Sequence, residues 1–273
     1  MYFSDTSNYV IRKVSTGSVA IISTAVGSGA ISYCGDFIPA TSACLASLSA
    51  VLYESDRNVL TFEDATKLRQ HSFTTNIVSF LTLQSSTLTG GLAVDTTHAY
   101  YIPLSRTIIK LTPQTSVTKT WQTSIVTVAG VGSNLIGGIG YAGDDLVATS
   151  AWFTNPFILW SDTQNNIYVT DNSNLRVRRI DGTTTITTTV AGNGVRGTVQ
   201  YTSVVATSSS ISNSLYGLWG DLYSNLYFGD YVNAVIFKVS CAHSVIYVWC
   251  CVCLLASNFN HCGTLCSRLM CAE

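Results

Sequence analysis

Apolar and polar positions change places every few residues along this chain, and no amphipathic stretch of helical length separates the runs. In "NNIYVTDNSNLRVRRI" (165–180) a strand-like run, "IYVTD", meets an Asn-containing turn and a second run, "VRRI". Thr-rich "TITTTVAGNG" (185–194) follows, with a sister in "SIVTVAGVG" (124–132). Short apolar runs such as "GLAVD" (91–95) and "FILWSD" (157–162) come before. This grammar predicts four short strands per unit, punctuated by Asp, Asn and Gly.

The unit recurs. "YFSDTSNYVIRKV" (2–14) places Asp5, Asn8, Arg12 and Val14 under Asp171, Asn174, Arg178 and Ile180. "NLYFGDYVNAVIFKV" (225–239) puts Asp230, Asn233 and Val239 in the same slots. "NVLTFEDATKL" (58–68) is a weaker copy with Glu63 in the Asp slot, and in "AYYIPLSRTIIKL" (99–111) that slot reads Leu104. A second motif links the copies: "YCGDFIPATSACL" (33–45), with Gly35 and Asp36, matches "YAGDDLVATSAWF" (141–153), with Gly143 and Asp144. A third version, "YTSVVATSSSI" (201–211), is two residues shorter and lacks the Gly-Asp pair. A four-stranded antiparallel unit repeated at this scale predicts an all-β β-propeller, and the missing helices exclude a doubly wound α/β fold.

These motifs resemble the long form of the NHL repeat, a Tyr-x-x-Asp strand, Asn-x-x-Ile-Arg, an Ala-Gly-x-Gly turn and a Gly-Asp-x-x-x-Ala-Thr loop. The resemblance covers about residues 1–240 and implies a six-bladed kind of propeller, of which about five NHL-type blades fall in this chain. Their expected positions are near 1–26, 48–81, 91–130, 156–192 and 215–249, with the first blade lacking its innermost strand and "SVIYVW" (244–249) closing the last. Residues 250–273 then form a Cys-rich tail outside the pattern, and the chain reads as a fragment or truncated member.

Composition narrows the partners. Charged residues are only 11%, with net charge −1, so disorder and a general attraction for nucleic acid are both disfavoured. The longest apolar stretch, 245–256, is too short to span a bilayer as a helix. Nine cysteines include Cys34 and Cys44, close enough in one loop to bridge, and a terminal cluster whose spacing fits zinc poorly. No Asn-x-Ser/Thr sequon occurs, yet the long repeat form and the possible bridge lean towards an extracellular or cell-surface setting.

Candidate chemistry is sparse. Recurrence of Asp5, Asp171 and Asp230 at one strand end suits Asx turns closed by Asn8, Asn174 and Asn233 better than a metal ring. The four histidines, His71, His98, His243 and His261, do not recur, and no nucleophile elbow, zinc helix or phosphate loop is present. Arg12, Lys13, Arg178, Arg179 and Lys238 form at most a thin basic stripe. Trp121, Trp152, Trp160 and Trp219 read as blade packing. The expectation is a non-enzymatic scaffold that recognises a protein or small ligand through loops, with no cofactor, metal or catalytic residue assigned. Two alternatives remain: a metal-dependent lyase or hydrolase with its site in the central channel, and an RNA-binding domain.

Overall fold

The computed structural model describes residues 1–81, 88, 90–113, 123–131, 141–197, 203–240 and 244–251. They are all-β, five antiparallel sheets that are the blades of a five-bladed β-propeller, with no α-helix among the described residues. The sixth blade implied by the resemblance is not formed by them. Trp121, Cys241, His243, His261 and the 252–273 part of the expected tail lie outside the described residues.

The first blade has three strands, β1 (Tyr2–Asp5), β2 (Val10–Val14) and β3 (Ile22–Val26). The second has β4 (Ile38–Pro39), β5 (Leu48–Glu54), β6 (Val59–Asp64), β7 (Lys67–Ser72) and β8 (Ile77–Leu81), with β4 added outside β8. The third comprises β9 (Ala93–Val94), β10 (Tyr100–Leu104), β11 (Thr107–Pro113) and β12 (Thr123–Ala129). The fourth comprises β13 (Pro156–Ser161), β14 (Ile167–Asp171), β15 (Arg176–Ile180) and β16 (Thr187–Ala191). The fifth has β17 (Val204–Val205), β18 (Leu215–Gly220), β19 (Leu226–Asp230), β20 (Val235–Ser240) and β21 (Val245–Cys251). Two compact units divide the chain, Met1–Leu104 with Ile109–Val126, and Ser105–Ile108 with Thr127–Glu273.

Alternation sets the packing, because successive side chains point to opposite faces. In the first unit Ile11, Val26, Leu45, Leu60, Phe62 and Val78 form one core, and Leu68, Tyr100, Ile102, Ile109 and Leu111 another. In the second, Val177, Leu215, Phe228, Phe237 and Val248 are buried together. β-Bulges near the start of β5, β13 and β18 rotate the inner strands, so residues three apart, such as Tyr216 and Trp219, share a face.

Register corrects one sequence assignment. Leu48 pairs with Asp64, as Pro156 pairs with Asp171 and Leu215 with Asp230. The acidic slot of the second blade is therefore Asp64, and Glu63 points to the opposite face. The strand-to-strand turn there spans only Ala65 and Thr66, because Asp64 already pairs with Lys67. In the fourth blade Asp171 pairs with Arg176 across a longer turn. Removing two residues shifted the alignment, and two adjacent acids concealed it. A second correction concerns Trp219: it occupies the strand position of Trp160, each opposite a tyrosine, but is exposed where Trp160 is packed.

Candidate functional site

The linking loops come first, since their echo was the strongest sequence signal. Each Ala-Thr-Ser segment forms a 3-10 turn with its alanine buried, at Ala40–Ser42, Ala148–Ser150 and Ala206–Ser208. Those three alanine carbonyls accept from the amides of Gly27, Gly130 and Gly192, at 2.9, 2.9 and 3.0 Å. This half of the loop fastens the end of the preceding blade.

The Gly-Asp half fastens the following blade through a buried arginine. Arg178 donates to Asp144 Oδ1 at 2.8 Å, the Trp152 carbonyl at 2.9 Å and the Ala142 carbonyl at 3.3 Å. Arg69 donates to Asp36 Oδ1 at 2.9 Å, the Gly35 carbonyl at 2.8 Å, the Cys44 carbonyl at 2.9 Å and Asp64 at 3.0 Å. Both arginines are fully buried. Tyr33 donates to Asp36 and Tyr141 to Asp144. The Arg176 guanidinium lies 3.5 Å over the Tyr141 ring, and Lys67 Nζ 4.3 Å over the Tyr33 ring. Burial works against the charge of Asp144, but donation by Tyr141, Thr189 and Arg178 outweighs it and lowers its pKa. Gly143 has φ +86, and a Cβ there would stand 2.6 Å from Ala151 Cα.

In the second to fifth blades, arginine and Gly-Asp come and go together. The fifth blade, whose loop lacks Gly-Asp, has Phe237 seven residues after Asp230, where Arg178 stands seven after Asp171. In the third blade the two-residue turn Ser105–Arg106 puts Ile109 five residues after Leu104, as Arg69 is five after Asp64. Its preceding segment, "LTLQSSTLTGG" (81–91), also lacks Gly-Asp. A buried guanidinium without its carboxylate would be an uncompensated charge, so where Gly-Asp is absent the arginine gives way to an apolar residue, Phe237 or Ile109.

The recurring acidic slot is occupied internally. Asn8, Asn174 and Asn233 donate side-chain amides to Asp5, Asp171 and Asp230 at 2.8, 2.7 and 2.8 Å. Asp171 also accepts from the Thr154 and Asn155 amides, Asp64 from Ala46 and Ser47, and Asp230 from Ser212. Burial raises the pKa of Asp171 in spite of these donors. Asn8 and Arg12 lower that of Asp5. Among the described residues no three His, Cys, Asp or Glu side chains are placed to hold a metal ion. Cys34 and Cys44 form a disulfide, with Cα atoms 5.4 Å apart.

A different constellation, absent from the sequence reading, lies at the turn between the first two strands of the third and fourth blades and between β18 and β19 of the fifth. Asp95, Asp162 and Asp221 each accept, through Oδ1, amides two and four residues onward, at 2.8–3.0 Å. Each also accepts a tyrosine hydroxyl six residues onward, from Tyr101, Tyr168 and Tyr227, at 3.0, 3.3 and 3.0 Å. His98, Asn165 and Ser224 occupy the same left-handed position, φ 62, 63 and 62. The signal was present as Asp-x-x-x-x-x-Tyr at equal offsets, but aspartates in turns are too common to stand out. On these matched frames the turn residues differ: Thr96-Thr97-His98, Thr163-Gln164-Asn165 and Leu222-Tyr223-Ser224.

The second blade departs from the frame. Val51 pairs with a residue 11 onward, where Leu159 and Leu218 pair with residues 10 onward. With this extra turn residue, Glu54 leaves its own turn and reaches the next one. Tyr100 donates to Glu54 Oε1 at 2.5 Å, His98 Nδ1 stands 2.9 Å from Oε2, and Arg57 donates to Oε2 at 3.3 Å. The Tyr100 hydroxyl also receives Thr61 at 3.1 Å and Gln70 at 2.9 Å. Burial, then the Glu54 charge, raises the Tyr100 pKa. Asp56 lies 3.5 Å from His98 Nε2 at the surface. The buried floor is thus fixed, and the half-exposed His98 and Arg57 with exposed Asp56 offer both charges to solvent. His98 faces two carboxylates, and Tyr100, its pKa raised, keeps its proton while donating a hydrogen bond to Glu54.

No protein-family model and no curated protein sequence matches the chain. Solved structures do resemble it. An auxiliary nutrient binding protein from Bacteroides thetaiotaomicron has TM-score 0.55 at 15% identity, over 87% of this chain and 65% of that one. A streptogramin B lyase has TM-score 0.52 at 13% identity, over 90% of this chain and 64% of that one. Virginiamycin B lyase from Staphylococcus aureus has TM-score 0.50 at 12% identity, over 90% and 65%. The chain thus spans about two thirds of each, and the likeness establishes the fold. No helix among the described residues is long and apolar enough to cross a membrane.

Proposed function

We propose that this protein is a non-enzymatic binding scaffold of NHL type, recognising a protein or small ligand through loops on one propeller face. The observation that carries the reading is the turn series. Asp95, Asp162 and Asp221 hold one backbone frame while the residues displayed on it change from Thr97-His98 to Gln164-Asn165 to Tyr223-Ser224. A constant frame with variable display is how loops on rigid scaffolds gain specificity. Asp5, Gly35, Asp36, Gly143, Asp144, Asp171 and Asp230, with Asn8, Asn174 and Asn233, serve the frame. The structurally similar proteins include both a binding protein and lyases, so the fold is compatible with either class. The Cys34–Cys44 disulfide favours an extracellular or cell-surface location.

The test is a thermal-shift screen of sugars, nucleosides and peptides on wild type and on Arg57→Ala/His98→Ala. A hit whose stabilisation disappears in the variant, while the unliganded melting temperature is retained, is the expected outcome. The enzyme alternative is checked by metal analysis: stoichiometric metal that is lost in folded Asp171→Asn and Asp230→Asn proteins refutes the scaffold reading.

A further inference from the structure

The loop leading into the second blade carries a disulfide that its sister lacks. Cys34 and Cys44 are bonded, with Cα atoms 5.4 Å apart. In the matching loop of the fourth blade the same two positions are Ala142 and Trp152. These form an antiparallel bridge, the Trp152 amide donating to the Ala142 carbonyl at 3.0 Å. That loop closes with no sulfur in it.

The two arms of the Cys34–Cys44 loop are held by other means as well. Arg69 donates to the Gly35 carbonyl on one arm and the Cys44 carbonyl on the other, as Arg178 does to those of Ala142 and Trp152. Ile31 and Leu45 form a backbone bridge across the arms. The Phe37 and Ala40 amides donate to the Val78 and Asn76 carbonyls at 2.6 and 3.1 Å. None of these contacts uses a sulfur atom. The disulfide therefore spans arms that are already fixed at bonding distance, and breaking it leaves them fixed.

Access to the two sulfurs differs. Cys34 is exposed and Cys44 half-buried. The Cys44 amide donates to Cys34 Sγ at 2.9 Å, and such a hydrogen bond favours a thiolate there. We propose that Cys34–Cys44 is a thiol–disulfide exchange site, opened and closed by a dithiol partner while the blades stay folded. A thiolate of the partner attacks the exposed Cys34 Sγ, the S–S bond breaks, and Cys44 leaves as a thiolate that takes a proton from water. The partner's second thiolate then attacks the partner's own sulfur in the mixed disulfide. Cys34 leaves as the thiolate to which the Cys44 amide donates. The partner departs as a disulfide, having passed two electrons to the pair. The reverse steps close the bond, and the fixed arms keep both sulfurs in place for them.

The test takes the oxidised full chain, well below its melting temperature, through a roughly hundredfold range of dithiothreitol concentration. Alkylation and mass spectrometry of the 33–45 segment read the reduction, and circular dichroism reads the fold. The rate is expected to rise in proportion to dithiothreitol, the spectrum to stay unchanged, and oxidised dithiothreitol to restore the bond. Among folded single variants, Cys44→Ser keeps the exposed sulfur. It should form a mixed disulfide with glutathione disulfide in this segment at least about tenfold faster than Cys34→Ser. A reduction rate that ignores dithiothreitol concentration means that the chain must unfold first, and it overturns the proposal. Loss of the spectrum on reduction overturns it too, as does a bond that cannot be restored. Equal rates in the two variants overturn the assignment of Cys34 as the sulfur attacked.

Discussion

Glu63→Gln should make stability far less dependent on pH between 5 and 8. Glu63 is fully buried on β6; Ser49 donates to its Oε2 at 2.5 Å, and Oε1 has no hydrogen-bond partner among the described residues. Burial raises its pKa from 4.5 to about 7, and donors at Ser49, Gly90 and Ala50 offset this only in part. Below about 4.5 the group is neutral in both folded and unfolded chains and costs nothing. Between about 4.5 and 7 the unfolded chain ionises while the fold keeps its proton, so stability falls as pH rises, and the loss is complete above about 7. The displacement corresponds to about 3 kcal/mol, of which about 2 to 3 kcal/mol accrues between pH 5 and 8. Glutamine keeps the shape and cannot ionise. Urea unfolding of both proteins at pH 5, 6, 7 and 8 measures the difference. The offset at pH 5 reports how well the amide fits, and the growth of the difference towards pH 8 reports the carboxyl. At typical urea slopes that growth is a midpoint shift of about 1 M. Parallel pH profiles would show that Glu63 is ionised in the fold, and the reasoning would fail.

Arg178→Phe should cost about 3–5 kcal/mol by leaving Asp144 and Asp171 without their cation. Adding Asp144→Val should recover part of that loss, and strictly additive urea-unfolding losses would contradict the linkage. Gly143→Ala should destabilise by at least about 1–3 kcal/mol, since it meets both φ +86 and Ala151. Gly35→Ala, with positive φ but nothing within 4 Å, should cost less, and equal melting temperatures would refute the steric part. Cys34→Ser/Cys44→Ser should lose about 2–3 kcal/mol, the entropy of a loop closed over a separation of 10 residues. Reductant should lower the wild-type melting temperature to that of the variant; no reductant effect would remove the bridge.

The repeat itself was legible because its parts are local. A strand alternates within five residues, a turn needs its Asp and Asn three apart, and Gly143 needs its own φ; each leaves its mark at fixed spacing in the chain. The same locality made the Gly-Asp loop readable as a connector, although its role came out larger than a turn. Asp144 holds an arginine 34 residues away, and that separation carries no periodic signal. Asp64 was misplaced for a related reason, since a two-residue shortening moves a whole strand and only hydrogen-bond register shows which of two adjacent acids lands in the slot. Glu54 is the sharper case: one extra turn residue sends it from its own hairpin to His98 and Tyr100, 44 and 46 residues onward. Trp160 and Trp219 mark the limit. Sequence places them identically, and only tertiary structure decides which is covered, because burial depends on what a neighbouring sheet brings against the ring. Spacing along the chain determines which parts are made; the assembly of sheets determines which charges meet and which faces stay open.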